Sequence, residues 1–155
     1  MAITQDGWMN DTYVKLMRQQ ITIDVGSTTS GIFKAALWTG SVTPDFSQAN
    51  PAYNVAPWNS GQTVGPGYTA GGNDLTVTSF AELAGAANKV GWRFAATSWS
   101  SATIAAEALV VYAPGLSNRI FVVRWFTQSY DSSDGTYTVT PDATGVWRTV
   151  LRSAA

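Results

Sequence analysis

The feature that most constrains the fold is a stretch in the second half of the chain, residues 105–126, which reads AAEALVVYAPGLSNRIFVVRWF. It contains two runs of apolar, β-branched and aromatic residues, the types that favour strands. The turn-forming letters APGLSN separate the two runs. Two such runs joined by a short turn predict a buried β-hairpin.

The composition narrows the chemistry open to the chain, which has no histidine and no cysteine. Without histidine it lacks the side chain most used for proton transfer near neutral pH. Without cysteine it lacks thiolates, disulfides and most structural zinc sites. A net charge of −1 with 12% charged residues gives no basic surface for nucleic acid or anionic lipid. We therefore expect a non-enzymatic protein that packs surfaces together, with no cofactor, no metal, and no nucleic-acid or membrane partner.

The length of 155 residues fits one domain, so we expect a single β-rich domain over residues 1–155. The first residues, MAITQDGWMND, lack the basic segment and apolar run of a secretory signal. No window approaches the ~18 consecutive apolar residues of a membrane-spanning helix. We therefore expect synthesis in the cytoplasm.

One helix is predicted, over residues 6–20, with Asp6 or Asn10 capping its start. In one interpretation the helix packs on one end of a sheet. In the other it is an exposed arm whose Trp8 and Met9 dock onto a neighbouring subunit.

After residue 20 the chain consists of short runs rich in Thr, Val and Ile, broken by Gly, Ser, Asn and Pro, which predicts strands. In residues 32–39, Phe33, Ala35 and Leu37 alternate with Lys34, which predicts one solvated face. Antiparallel strands joined by short turns favour a mainly β fold, an antiparallel sandwich or barrel with one short N-terminal helix. Strands are predicted at residues 21–25, 32–39, 75–80, 89–95, 102–113, 119–128, 136–140 and 146–151.

The segment 40–72 is too long for an ordinary connection, and long segments of this kind are usually functional or disordered. Its aromatic residues indicate order, because disordered segments are poor in aromatics. It either folds over the barrel or reaches a partner. Exposed aromatics are also typical of interfaces, and we expect a substitution of Trp58 to weaken assembly more than folding. The candidate residues for a subunit interface are Trp8, Met9, Phe46, Tyr53, Trp58 and Tyr68.

Two further segments resemble ligand sites without completing one. Residues 131–135, DSSDG, place Asp131 and Asp134 in a glycine-containing segment that could help to hold Ca²⁺, but the other acidic ligands of a calcium loop are missing. We expect a polar turn that joins two strands. Residues 65–72, GPGYTAGG, lack the Lys-Ser/Thr of a phosphate-binding loop, so a turn is expected there too.

Two alternatives to a packing role remain open at this point. A glycosidase would need two carboxyl groups about 5–10 Å apart, and Glu82 and Glu107 are the two glutamates of the chain. A carbohydrate-binding module could stack sugars on Trp58, Tyr53 and Trp99.

Four blocks, in this order and at these spacings, resemble small virion structural proteins encoded near the head genes of tailed bacteriophages. The resemblance runs from about Tyr13 to Leu151, and departs from the pattern between residues 79 and 101. The blocks are IFKAAL (32–37) followed by VTPD (42–45), GYTAGG (67–72) leading into LTV (75–77), ALVVY (108–112) and GTYTVTPDATGV (135–146).

The resemblance implies a β-rich subunit without enzymatic activity that decorates or stabilises the capsid. A tail or fibre component is the alternative within the same class. The implied partners are the major capsid protein or other virion subunits, together with further copies of the chain, and the implied location is the virion. The resemblance brings no catalytic or ligand residues with it.

Overall fold

The computed structural model describes residues 3, 5–84, 89–142 and 147–150, the last four as backbone only. The fold is mainly β, with one short helix and antiparallel strands in two open sheets, so it is sandwich-like. One sheet has the strand order β1-β7-β6-β2-β3, and the other has the order β4-β5-β8. The elements are β1 (Gly7–Trp8), α1 (Asn10–Met17), β2 (Phe33–Trp38), β3 (Asn73–Leu75), β4 (Val77–Glu82), β5 (Lys89–Phe94), β6 (Thr97–Ala113), β7 (Arg119–Val139) and β8 (Trp147–Val150).

The predicted hairpin is confirmed and forms the centre of the larger sheet. β6 and β7 pair antiparallel, with Val111 opposite Val122 and Val110 opposite Val123. A single turn of 3₁₀-helix, Pro114–Leu116, connects them. All four valines are almost completely buried, because the sheet is covered on both of its faces.

The first core lies between the two sheets and is built from aromatic rings. Trp92 on β5 packs edge-to-face on Phe33 of β2, with ring centroids 5.0 Å apart. Phe121 on β7 makes a similar contact with Phe33 at 5.3 Å. The indole nitrogen of Trp92 donates a hydrogen bond of 2.7 Å to the carbonyl of Val25, so its polar atom is satisfied inside the core.

The second core lies on the opposite face of the five-stranded sheet and is closed by the segment 40–72. Trp58 of this segment packs edge-to-face on Trp38 of β2, with centroids 5.7 Å apart. Val42 of the segment and Ile120 of β7 are buried in the same cluster. Of the two roles expected for this segment, folding over the sheet is therefore the one seen in this chain.

The helix is shorter than predicted. Gly7 and Trp8 form β1, which pairs with Val123 and Val122 of β7, and the helix begins only at Asn10. Neither predicted cap holds, because Met9 occupies the capping position without a side-chain hydrogen bond and Asp6 forms an ion pair with Arg124 instead. Sheet pairing thus outweighs helix propensity at residues 7–8, and this part of the chain is not an exposed arm.

Four predicted strands are placed differently. Residues 21–25 form no strand, although Ile21, Ile23 and Val25 pack against the first core. The predicted strand 75–80 divides into β3 and β4, which belong to different sheets. The predicted strands 119–128 and 136–140 form one continuous strand, β7. Among the described residues, no helix is long and apolar enough to cross a membrane.

Candidate functional site

A cluster of hydrogen-bonded, partly buried polar side chains lies between the segment 40–72 and the five-stranded sheet. The hydroxyl of Tyr53 donates to Oε1 of Gln62 at 3.0 Å, and Nε2 of Gln62 donates to the hydroxyl of Tyr68 at 2.9 Å. The same hydroxyl accepts a hydrogen bond of 2.9 Å from the backbone nitrogen of Leu37. A chain of hydrogen bonds therefore runs from the segment to β2.

Tyr112 of β6 completes this cluster. Its hydroxyl donates to the carbonyl of Gly71 at 2.8 Å, and burial, together with neighbouring Tyr53 and Tyr68, raises the pKa of Tyr112 to about 12. Burial also raises the pKa of Tyr68. Both phenols are protonated near neutral pH, so they act as hydrogen-bond donors and acceptors and not as bases. The cluster fastens the segment to the sheet.

The GPGYTAGG segment is a turn, as predicted, and it lies directly on the sheet. Gly72 has a positive φ of 72°, and a Cβ atom there would overlap with the carbonyl oxygen of Ala35. Asn73 then begins β3, which pairs with β2. The glycine pair allows the chain to approach β2 closely and to enter the sheet.

The six candidate interface residues are all part of the chain's own packing. Trp8, Met9 and Trp58 are buried, and Trp8 and Met9 lie in different cores. A role for these three in contacting a neighbouring subunit would require their side chains to leave the core. Partly buried positions are occupied by Phe46, Tyr53 and Tyr68.

The stacking platform considered for a carbohydrate-binding module does not exist at the predicted residues. Trp58 is 1% exposed and Trp99 is 3% exposed. The ring of Tyr53 is covered by that of Tyr112. That prediction is wrong for Trp58 and Trp99, because their rings are buried in the core, whereas Tyr53 is partly buried with its ring stacked on Tyr112.

The two glutamates considered for catalysis lie in different sheets. Glu82 is exposed at the end of β4, whereas Glu107 lies on β6 in the other sheet, with its carboxylate against Gly40. The structure does not bring these two glutamates together. In the part of the chain that the structure describes, no group of three or more acidic residues could hold a metal ion.

Residues 131–135 are not the predicted turn between two strands but lie inside β7. Asp131 pairs with Ala105 and Gly135 with Ala102 of β6, so the DSSDG segment spans one residue more than its partner. Asp134 absorbs the extra residue with a left-handed φ of 49°. This is a β-bulge, which bends the strand and increases its local twist.

A groove that the sequence did not indicate lies along β7. We call it the distal groove; it has a volume of about 680 Å³. Its walls come from the middle of β7 and from the residues that end and follow it, so that two parts of one strand face a common space. The lining residues are Leu109, Arg124, Trp125, Phe126, Thr127, Tyr130, Asp131, Ser132, Thr136, Tyr137, Thr138, Val139, Thr140, Pro141 and Asp142.

Tyrosines give the distal groove both an exposed and a buried phenol. Tyr130 is 47% exposed, and its ring packs edge-to-face on Phe126 with centroids 6.3 Å apart. Tyr137 is buried, and burial, with Tyr130 and Asp131 nearby, raises its pKa to about 12. The sequence signal for this site is weak, because Tyr130 stands next to the letters DSSDG, which predict a turn.

The outer edge of β7 is a second unoccupied surface. The segment 40–72 contacts this edge at Ile120, and β1 pairs with it at Val122 and Val123. From Arg124 onward, none of the described strands pairs with the outer edge of β7. The edge therefore presents backbone donors and acceptors to the surroundings.

A scan against protein-family models found no match to the chain. A search of curated proteins and a search of solved structures also found no match.

Proposed function

We propose that this chain is a non-enzymatic structural subunit of a tailed-bacteriophage virion, which decorates or stabilises the capsid. The observation that carries the proposal is the long outer edge of β7, uncovered by any described strand beyond Val123. An edge of this kind can add a strand from a neighbouring protein through main-chain hydrogen bonds. The major capsid protein, another virion subunit or a second copy of the chain could supply that strand.

The resemblance to phage structural proteins supports the same role through the positions of its blocks. The blocks at residues 32–37, 67–77 and 108–112 fall on β2, on the turn leading into β3 and β4, and on β6. Two hydrogen bonds join these blocks: the hydroxyl of Tyr112 donates to the carbonyl of Gly71, and the backbone N–H of Leu37 donates to the hydroxyl of Tyr68. Three of the four blocks therefore lie on elements that contact one another, which supports a structural role.

The low charge of the chain favours an attachment based on backbone hydrogen bonds and apolar contacts. With 12% charged residues and a net charge of −1, the chain has few ions to desolvate in a contact. Many copies on a repeated lattice would multiply modest single contacts into stable attachment.

The direction of one backbone group on this edge follows from a neighbouring hydrogen bond. Nδ2 of Asn73 donates to the carbonyl of Ser98 at 2.7 Å, so that carbonyl points away from β7. Ser98 is paired with Thr138. In an antiparallel pair the two residues point their backbone N–H and C=O groups either toward each other or both away from each other. Because the carbonyl of Ser98 points away from β7, the N–H of Thr138 points away from β6, to the outer edge.

The test is a Thr138→Pro variant, which removes this outward donor without removing a hydrogen bond to β6. Purified particles stripped of the chain would be mixed with the variant, with the wild type, or with Thr138→Val, which keeps the N–H. We expect Thr138→Pro to lose occupancy in electron micrographs and Thr138→Val to retain it. Circular dichroism would verify that the proline variant is folded; full occupancy by a folded variant would refute attachment through this edge.

The location is tested separately, by electron microscopy of purified particles. Density for the chain on the head lattice supports a decorating role. Density confined to the tail or to its fibres would assign the chain to the alternative within the same class.

A further inference from the structure

We propose that the distal groove is a binding site for a neutral saccharide. This site uses side chains of β7, including that of Thr138, whereas the proposed function uses main-chain groups along the outer edge of the same strand. It assigns the chain a second partner, a glycan on the surface of a cell or particle. The volume of the distal groove, about 680 Å³, lies within the range of roughly 300–1,000 Å³ that is typical of ligand-binding pockets.

The first requirement for a saccharide site is an accessible aromatic ring. Tyr130 meets it, because nearly half of this side chain is exposed although it lines the groove. Phe126 supports the ring from the side, which limits its motion. The apolar C–H face of a sugar ring can cover such a surface, while the phenol hydroxyl remains available for a hydrogen bond.

The second requirement is a set of polar groups that match sugar hydroxyls. Thr136, Thr138 and Thr140 line the groove at every second residue and are exposed. A threonine hydroxyl both donates and accepts, as a sugar hydroxyl does. The carboxylate of Asp131 is also exposed in the groove and accepts hydrogen bonds from two sugar hydroxyls at once when ionised.

The charges of the groove select a neutral ligand over an acidic one. The ionisable side chains in the lining, apart from the two tyrosines, are Asp131, Asp142 and Arg124. The guanidinium of Arg124 forms an ion pair with Asp6, which offsets its positive charge. A uronic acid or a sialic acid would therefore meet like charge at Asp131.

The test begins with a printed array of neutral and acidic oligosaccharides, probed with the full chain. The neutral oligosaccharide that binds best is then titrated calorimetrically against the wild type, Tyr130→Ala, Tyr130→Phe and Asp131→Asn. We expect Tyr130→Ala and Asp131→Asn each to weaken binding at least tenfold, and Tyr130→Phe to bind within about threefold of the wild type, because its ring still stacks.

The matched control is Phe80→Ala, which removes another exposed aromatic ring, 40% exposed, from the other sheet. It should leave the affinity unchanged. The proposal is overturned if no neutral oligosaccharide on the array binds, if acidic ones bind more tightly, or if Tyr130→Ala binds as the wild type does. Occupancy of Tyr130→Ala on particles is measured in parallel: retained occupancy separates loss of the glycan site from failure of the structural role.

Discussion

The ring of Tyr53 stacks on the ring of Tyr112, with centroids 4.8 Å apart and planes only 12° from parallel. Tyr53 belongs to the segment 40–72, whereas Tyr112 lies on β6 at the centre of the larger sheet. The hydroxyl of Tyr112 reaches further along the same segment and donates to the carbonyl of Gly71. One side chain of the sheet therefore holds the segment at two points 18 residues apart in the sequence.

Replacement of Tyr112 by phenylalanine should retain the stacking and remove the hydrogen bond to Gly71. The carbonyl is then left without its donor in a buried place, so we expect the free energy of unfolding to fall by about 1–3 kcal/mol. Urea unfolding measures the change. Tyr130→Phe is the control, since Tyr130 is an exposed residue and removal of its hydroxyl should change stability by less than about 0.5 kcal/mol. Equal effects of the two substitutions would contradict the role given to Tyr112.

Alkaline pH should destabilise the fold through the buried tyrosines. The pKa values of Tyr112 and Tyr137 are raised to about 12 in the folded chain, whereas an unfolded tyrosine titrates near about 10. Between these values the unfolded chain releases protons that the folded chain keeps, so the free energy of unfolding falls as the pH rises. Below a pH of about 10 both states are protonated and these groups give no slope.

The double variant Tyr112→Phe with Tyr137→Phe isolates this effect from the titration of lysines. Urea unfolding in steps from a pH of about 9 to about 12 should show a shallower decline for the variant than for the wild type. Parallel declines would show that these two phenols do not carry the dependence.

Replacement of Gly72 by alanine should be among the most damaging single changes. The backbone at Gly72 has a φ of 72°, and the new Cβ would overlap with the carbonyl oxygen of Ala35 on β2. We expect a loss of about 3 kcal/mol or more, measured by urea unfolding, because backbone must move to relieve the overlap. Gly115→Ala is the matched control, since a Cβ there meets nothing within 4 Å. A loss at Gly72 no larger than that at Gly115 would contradict the close approach.

Replacement of Phe121 by alanine should open a cavity between the sheets. Its ring is fully buried and contacts Phe33, Trp8 and Trp92. Rings on three sides limit collapse of the site, so the free energy of unfolding should fall by about 3–5 kcal/mol in thermal or urea unfolding. Phe80→Ala, at a ring that is 40% exposed, should cost much less. A loss below about 1 kcal/mol at Phe121 would contradict its place in the core.

The hairpin of β6 and β7 could be predicted because two apolar runs around a turn have few other solutions. The burial of both faces of β2 could not, because the pattern of this strand indicates one solvated face. Lys34 in β2 predicts a solvated face, and Lys34 is indeed partly exposed and paired with Asp74. Ala36 and Trp38 on that same face are nevertheless buried, because the segment 40–72 that follows β2 closes over them.

The distal groove was hidden from the sequence for a related reason. The residues DSSDG favour a turn, so the local sequence alone predicts that the strand ends there. Pairing with β6 instead continues the strand through DSSDG, and the one extra residue of β7 forms a bulge at Asp134. Residues 124–127 and 136–142 line one groove, and this depends on strand pairing that no local pattern records.

Replacement of Trp58 by alanine should act on folding, and not mainly on assembly as its sequence context suggests. Trp58 is 1% exposed and packs against Trp38, whose indole nitrogen donates to the carbonyl of Ser60 at 2.8 Å. Loss of this ring should lower the free energy of unfolding by about 3–5 kcal/mol. The segment 40–72 should then open more often, so limited proteolysis should cut it faster in the isolated chain. Val64→Ala, at a side chain of the same segment that is 84% exposed, should change neither stability nor cleavage. If Trp58→Ala unfolds and is cut as the wild type is, the side chain does not anchor the segment.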